Sequence, residues 1–248
     1  MLVLGGTSQA SELARRLADR PDIEATLSLA GRTAAPAAYA LPTRIGGFGG
    51  AQGLADYLRA HRIDAVIDAT HPFAARISAN TSAAVAAAGL PLGVLSRPAW
   101  RPGPGDDWRE VESIEAAAKA LGASPRRAFL TVGRLQAGAF RAAPQHWYLM
   151  RSIDTPGELP PNCEVLLARP PFLFDDEIAL MRERRIDVLV SKNSGGEAAR
   201  AKLDAARALE LPVVMVARPA SLQGPMLEDV EAALRWIEAH RQLRGVSR

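Results

Sequence analysis

The sequence is poor in several residue types that would point to particular chemistries. Its 248 residues hold one cysteine, Cys163, which excludes an internal disulfide and a thiolate metal cluster. Aromatic residues make up only 5%, too few for a platform on which single-stranded nucleic acid would stack. The four histidines, His61, His71, His146 and His240, show no metal-ligand spacing, so no metal is expected. Charge is nowhere concentrated: the net value of +3 is too mild and too scattered for a nucleic-acid partner, although it suits an anionic small molecule. No apolar run reaches membrane-spanning length and no signal peptide is legible, so no membrane is expected and the setting reads as cytoplasmic. No Ser/His/Asp set, paired-carboxylate set or Tyr-x-x-x-Lys pair is present at a recognisable spacing.

Hydrophobic residues amount to 48%, enough to bury a proper core in one large or two small domains. The chain opens with the apolar Leu2-Val3-Leu4, then Gly5-Gly6-Thr7-Ser8, then an amphipathic stretch. Leu13 and Leu17 lie one turn apart on its buried face, with Ala10, Ala14 and Ala18 beside them. A strand that turns sharply into a helix is the expected result, with the helix-start N–H groups free to attract a phosphate. The spacing departs from G-x-G-x-x-G, since Gly5 and Gly6 are adjacent and Ala10 stands where a third glycine might close helix against strand.

A second strand over Ile23–Leu29 ends in Ala30-Gly31-Arg32-Thr33. An acidic residue at this tip would bind the ribose hydroxyls of NAD. Arg32 beside Gly31 and Thr33 is instead a cationic, hydrogen-bonding set that fits a 2′-phosphate, which favours NADPH over NADH; the bland alternative is a solvated loop arginine. Further strands are expected at Arg44–Ile45, Ile63–Ala69 and Leu92–Leu95, with helices at Ala51–His61 and after Thr70-His71-Pro72. There Thr70 or His71 would cap the helix, with Pro72 in its first turn.

Ser96 to Gly105 holds three prolines and two glycines in ten residues, and the domain junction is expected there. The boundaries predicted are 1–98 for a dinucleotide-binding domain and 99–248 for a substrate-binding domain. In the second part, strands are expected at Trp108–Val111, Ala128–Val132, Trp147–Arg151, Glu164–Ala168, Asp187–Ser191 and Val213–Ala217. Helices are expected at Ile114–Leu121, Asp175–Arg184, Glu197–Leu209 and Met226–His240.

An internal echo links the two parts. Arg62-Ile63-Asp64 returns as Arg185-Ile186-Asp187, Leu90-Pro91 as Leu211-Pro212, and Arg97-Pro98 as Arg218-Pro219. Thr70-His71-Pro72 thereby aligns with Asn193-Ser194-Gly195. The fold class that follows is α/β: two doubly wound, Rossmann-like parallel-sheet domains, with ligands at the carboxyl ends of the strands and a cleft between the domains. In Ser191-Lys192-Asn193-Ser194-Gly195-Gly196, a cation, two polar side chains and flexible backbone follow a strand, a set that would hold a carboxylate or phosphate. His71 reads either as a general acid or as a helix-start capping residue.

Taken together, Gly5-Gly6-Thr7-Ser8, Asp68-Ala69-Thr70-His71-Pro72-Phe73-Ala74, Arg97-Pro98-Ala99-Trp100, Thr131-Val132-Gly133-Arg134 and Ser191-Lys192-Asn193-Ser194-Gly195 resemble the precorrin-6A reductases of the CobK/CbiJ type over nearly the whole chain. The resemblance implies an enzyme of cobalamin (vitamin B12) biosynthesis that uses NADPH to reduce one double bond of a carboxylate-fringed tetrapyrrole, converting precorrin-6A to precorrin-6B. It covers the cobalt-free and the cobalt-containing macrocycle alike. It further implies that Gly5, Gly6, Thr7 and Ser8 address the pyrophosphate, Gly31, Arg32 and Thr33 the 2′-phosphate, and Thr70, His71 and Pro72 the nicotinamide end. Arg97, Lys192, Asn193, Ser194 and Gly195 would address macrocycle carboxylates or the far side of the cofactor. Hydride transfer needs no protein nucleophile, but a proton must reach the neighbouring carbon, from Lys192, His71 or water. A monomer is compatible with all of this. The alternatives are a two-lobed small-molecule binding protein and an NADP-dependent reductase of another substrate.

Overall fold

The structure, a computed structural model, describes residues 1–31, 39–219 and 224–245. The chain divides into two compact units, Met1–Pro98 with Pro219–Arg248, and Ala99–Arg218. In the first, β1 (Leu2–Leu4) leads into α1 (Ser8–Ala18), then β2 (Thr26–Leu29), β3 (Thr43–Ile45), α2 (Gly50–Ala60), β4 (Val66–Asp68), α3 (Ala75–Ala88) and β5 (Leu92–Leu95). The second runs β6 (Trp108–Val111), α4 (Ile114–Ala120), β7 (Arg127–Thr131), β8 (Trp147–Ser152), β9 (Cys163–Leu167), α5 (Phe174–Glu183), β10 (Val188–Lys192), α6 (Ala201–Ala208) and β11 (Val213–Val216). The chain then returns to the first unit as β12 (Met226–Leu227) and α7 (Val230–Gly245).

Both sheets are six-stranded and wholly parallel, in the orders β3-β2-β1-β4-β5-β12 and β9-β8-β7-β10-β11-β6. They follow one plan, with β1 and β7 at equivalent centres. Buried on both faces, these central strands are near-continuous apolar runs. In the second sheet the sixth strand is β6, which pairs with β11 of the same unit; in the first it is β12, reached only after the chain has completed the second unit, and it pairs with β5 in the register Met226↔Val94.

A second domain over 99–248 is therefore corrected at its end. Residues 219–248 complete the first unit, where Ala233 and Ile237 enter the core formed by Leu13, Leu17 and Leu27. Arg16 pairs with Glu231 and Arg20 with Glu238, both at 2.6 Å. The expected helix start at Met226 is strand β12, because an open edge of β5 is there to receive it. The single helix expected over Glu197–Leu209 is a short 3-10 turn, Glu197–Ala199, followed by α6.

The sequence echo has a structural counterpart. Arg62 and Arg185 both take the left-handed conformation at φ 48°, costly for a side-chain-bearing residue and suited to ending a helix. After each, the isoleucine N–H caps the preceding helix at 2.9 Å, Ile63 to Leu58 and Ile186 to Met181. Val66 and Leu189 then donate to the carbonyls of Pro91 and Pro212, both at 3.0 Å. No helix among the described residues is long and apolar enough to cross a membrane.

Candidate functional site

In the first sheet the chain winds one way through β1, β2 and β3 and the other way through β4 and β5, so the switch point lies between β1 and β4. Open α/β sheets bind ligands at the carboxyl ends of strands at such a point. The loop after β1 is shaped by packing below and open space above. A Cβ on Gly5 would lie 2.7 Å from Leu27 Cδ1 and 3.5 Å from the Cβ of Ala10, so glycine here lets α1 sit close on β2. Gly6 has φ +127°, and a Cβ there would meet nothing within 4 Å. Its bare backbone is thus open on that side, in a conformation that favours glycine.

Thr7 caps α1, its Oγ1 accepting from the Ala10 N–H at 3.1 Å and donating to the Ala69 carbonyl at 2.9 Å. One hydroxyl therefore fastens the turn after β1 to the turn after β4. Ser8 opens the helix at the exposed rim, where first-turn N–H groups and the helix dipole favour an anion. Gly31 has φ +69°, and a Cβ there would stand 2.9 Å from Ile45. Arg32 and Thr33 lie outside the described residues.

After β4, buried Asp68 turns the chain: its Oδ1 accepts from the Thr70 N–H at 3.0 Å and the Thr70 hydroxyl at 2.6 Å. Thr70 Oγ1 also lies 3.2 Å from Ser78 Oγ. These three residues, with His71, Pro72 and Ser96, line a cavity of about 290 Å³ at the carboxyl ends of β4 and β5. Asp68 Oδ2 is buried without a hydrogen-bond partner among the described residues, a side-chain acceptor in this wall left over for a donor. His71 Nδ1 accepts from the Phe73 N–H at 3.2 Å, so the neutral ring carries its proton on Nε2.

Neither Thr70 nor His71 caps α3, contrary to expectation, and Pro72 precedes the helix. The cap is Ala74, without a side-chain bond, since Asp68 has already drawn Thr70 into its own turn. Arg97 follows β5, half-buried, and burial pushes its guanidinium below its ordinary pKa.

In the second unit, Lys192 ends β10, and its Nζ donates to Gln136 Oε1 at 2.9 Å. It stands one step beyond Ser191, which pairs with Thr131 as Asp68 pairs with Leu4 in the first sheet. Lys192 thus occupies the place held in the first sheet by Ala69. A Cβ on Gly133, which has φ +93° and is the counterpart of Gly6, would come within 3.5 Å of that ammonium. Asn193 is buried, with its carboxamide on the Trp100 backbone; Ser194 is half-exposed, and Gly195 turns at φ +70°.

Four polar residues here escaped sequence reasoning. Arg218 donates to the Asn193 and Ser194 carbonyls, and only its place in the Arg97-Pro98/Arg218-Pro219 echo could have drawn attention to it. Arg151 and Glu177 form a buried ion pair, with the guanidinium 3.7 Å from the Phe172 ring centroid. Lys202 is buried nearby, 5.5 Å over the Trp100 ring, and its pKa is pushed down to about 7, first by burial and then by the charge of Arg151. Glu177 and Lys202 sit in helices whose polar spacing looks like an ordinary solvent face.

Comparison with known proteins identifies the family. Residues 1–238 match the model of the family described as precorrin-6x reductase CbiJ/CobK. The chain is 50% identical over 239 residues to a precorrin-6A reductase of Rhodococcus erythropolis, covering 96% of each chain. It is 49% identical over 239 residues to a precorrin-6A reductase of a Sinorhizobium species, covering 96% of this chain and 92% of that one. A solved structure of CobK precorrin-6A reductase superposes with a TM-score of 0.89 at 48% identity, again covering 96% of each chain. This chain belongs to the precorrin-6x reductase CbiJ/CobK family.

Proposed function

We propose that the protein is an NADPH-dependent precorrin-6A reductase of cobalamin biosynthesis that works in the cytoplasm and yields precorrin-6B. The observation that carries the reading is the opening at the first switch point, where Gly6 at φ +127° borders unfilled space and α1 begins on a capped first turn. That combination suits the pyrophosphate of a dinucleotide. The substrate comes from the relatives, whose names specify precorrin-6A at half identity over nearly the full length.

Gly5, Gly6, Thr7 and Ser8 would hold the pyrophosphate, with Gly31, Arg32 and Thr33 on the 2′-phosphate. Thr70, His71 and Pro72, beside the cavity of about 290 Å³, would receive the nicotinamide end. Arg97 and the Lys192–Gly195 loop would meet carboxylates of the macrocycle. When bound, the cofactor supplies a hydride; the protein's own part is to orient the two partners and deliver a proton to the adjacent carbon. Two groups are equipped for that delivery, His71 through Nε2–H and Lys192 through its ammonium.

The test is anaerobic incubation of the purified protein with precorrin-6A and NADPH. The expected result is one NADPH consumed per macrocycle and a product heavier by two hydrogens. NADPH binding without turnover would favour a reductase of another substrate, and absence of NADPH binding a two-lobed binding protein. Under the same assay, His71→Gln and Lys192→Met should separate the two proton donors by which one removes a limb of the pH–rate profile.

A further inference from the structure

The loop after β10 is fastened on two sides, by Trp100 and by Arg218. Asn193 Oδ1 accepts from the Trp100 N–H at 2.8 Å, and its Nδ2 donates to the Trp100 carbonyl at 3.0 Å. The Trp100 indole N–H reaches the Gly196 carbonyl at 3.2 Å, so one residue distant in sequence braces both ends of the loop. From the other side, Arg218 Nε donates to the Asn193 carbonyl at 2.8 Å and Nη2 to the Ser194 carbonyl at 2.9 Å.

That fork has a consequence set by peptide geometry. A trans peptide points its C=O and N–H in opposite directions. With the Ser194 carbonyl held on the guanidinium, the N–H of Gly195 is turned away from Arg218. Among the described residues no hydrogen bond engages that N–H, whereas the N–H groups of Asn193 and Ser194 are committed to the Val216 and Lys192 carbonyls at 2.9 and 2.7 Å. The positive charge on the carbonyl side also polarises the peptide and strengthens its N–H as a donor. Gly195 at φ +70° allows the turn without a side chain in the way.

We propose that Arg218 and Asn193 are positioning residues of an anion site in the second unit: they fix the Ser194–Gly195 peptide so that the Gly195 N–H is presented to a carboxylate of the substrate beside the Lys192 ammonium. This rests on the reading of the protein as a tetrapyrrole reductase. Lys192 contributes charge, and the pinned peptide contributes direction. Asn193, although inside the motif, acts through the backbone and not by touching the ligand. A lysine at 218 could not replace the arginine, because a single ammonium lacks the fork that spans two successive carbonyls.

The test combines Arg218→Ala, Arg218→Lys and Asn193→Ala with Lys192→Ala, reading KM and kcat for precorrin-6A, the Kd for NADPH by fluorescence, and thermal melting. Arg218→Ala should raise KM for the macrocycle roughly ten-fold, the size of one lost charge-assisted contact, with kcat less affected and the NADPH Kd unchanged. Arg218→Lys should keep most of that defect while melting like the parent. In the Lys192→Ala background, Arg218→Ala should add much less than it does alone, because both act on one carboxylate. Fully additive effects, an unchanged KM, an equal shift in NADPH affinity, or failure of both Arg218 variants to fold would each overturn the proposal. An inactive parent enzyme would overturn the tetrapyrrole reading together with it, whereas an additive cycle in an active parent overturns this inference alone.

Discussion

The hydroxyl of Thr7 donates to the carbonyl of Ala69 at 2.9 Å while accepting from the N–H of Ala10. The helix cap of α1 and the bridge between the turns after β1 and β4 are thus one atom. Replacing Thr7 with Ala should remove both and lower stability by about 1–2 kcal/mol, measured by urea denaturation. NADPH binding should weaken as well, because the first turn of α1 loses its anchor. Thr7→Ser keeps the hydroxyl and should recover most of both effects. An unchanged affinity in Thr7→Ala would detach this turn from the cofactor.

Gly6 makes a sharper case. At φ +127° a side chain is strained even though nothing stands within 4 Å of where its Cβ would lie. Gly6→Ala should cost about 1–3 kcal/mol in stability and place a methyl where the pyrophosphate is proposed to lie. NADPH affinity should fall further than the stability loss explains. A variant that melts lower but binds NADPH normally would move the cofactor elsewhere.

On the proposed reading, Arg32 selects between the two cofactors. Arg32→Ala should weaken NADPH by about 1–3 kcal/mol, the range of a charge-assisted contact, and leave NADH little changed. Titration of both cofactors decides it, and an equal loss for the two would remove Arg32 from the 2′-phosphate.

Buried Lys202 gives the fold a pH signature. Its pKa falls from the ordinary 10.5 to about 7. Below pH 7 both folded and unfolded chains carry the proton, and the buried charge is a constant cost. Between pH 7 and 10.5 the unfolded chain binds a proton that the folded chain does not, so stability rises with pH across this window. Above it the cost is gone. Lys202→Met should therefore stabilise the protein at neutral pH by up to a few kcal/mol and flatten the slope between pH 7 and 10. Melting curves at several pH values provide the measurement, and an unaltered slope would mean that Lys202 stays hydrated.

Much of this was legible in the residues, for reasons that can be named. The opening strand and turn were readable because Gly5, Gly6 and Thr7 impose local geometry whatever surrounds them. Arg62-Ile63-Asp64 and Arg185-Ile186-Asp187 betrayed the repeat because each closes a helix in the same left-handed turn. What could not be read depended on distant partners. Met226 looks helical in its own surroundings and becomes a strand because β5 offers an unpaired edge. Thr70 looks like a helix cap until the Asp68 carboxylate claims it. Asn193 sits in a polar loop like a ligand-facing residue, and only the fold brings Trp100 to its amide.

The return of β12 to the first sheet bears on how the molecule can be made. Leaving the ribosome, the stretch up to Pro98 has an apolar helix face and the outer rim of Leu92–Leu95 with nothing to cover them, because their cover follows the whole second unit in the chain. The first unit is not a contiguous piece of chain, whereas the second is. A fragment ending at the Pro98 junction should therefore aggregate rather than fold.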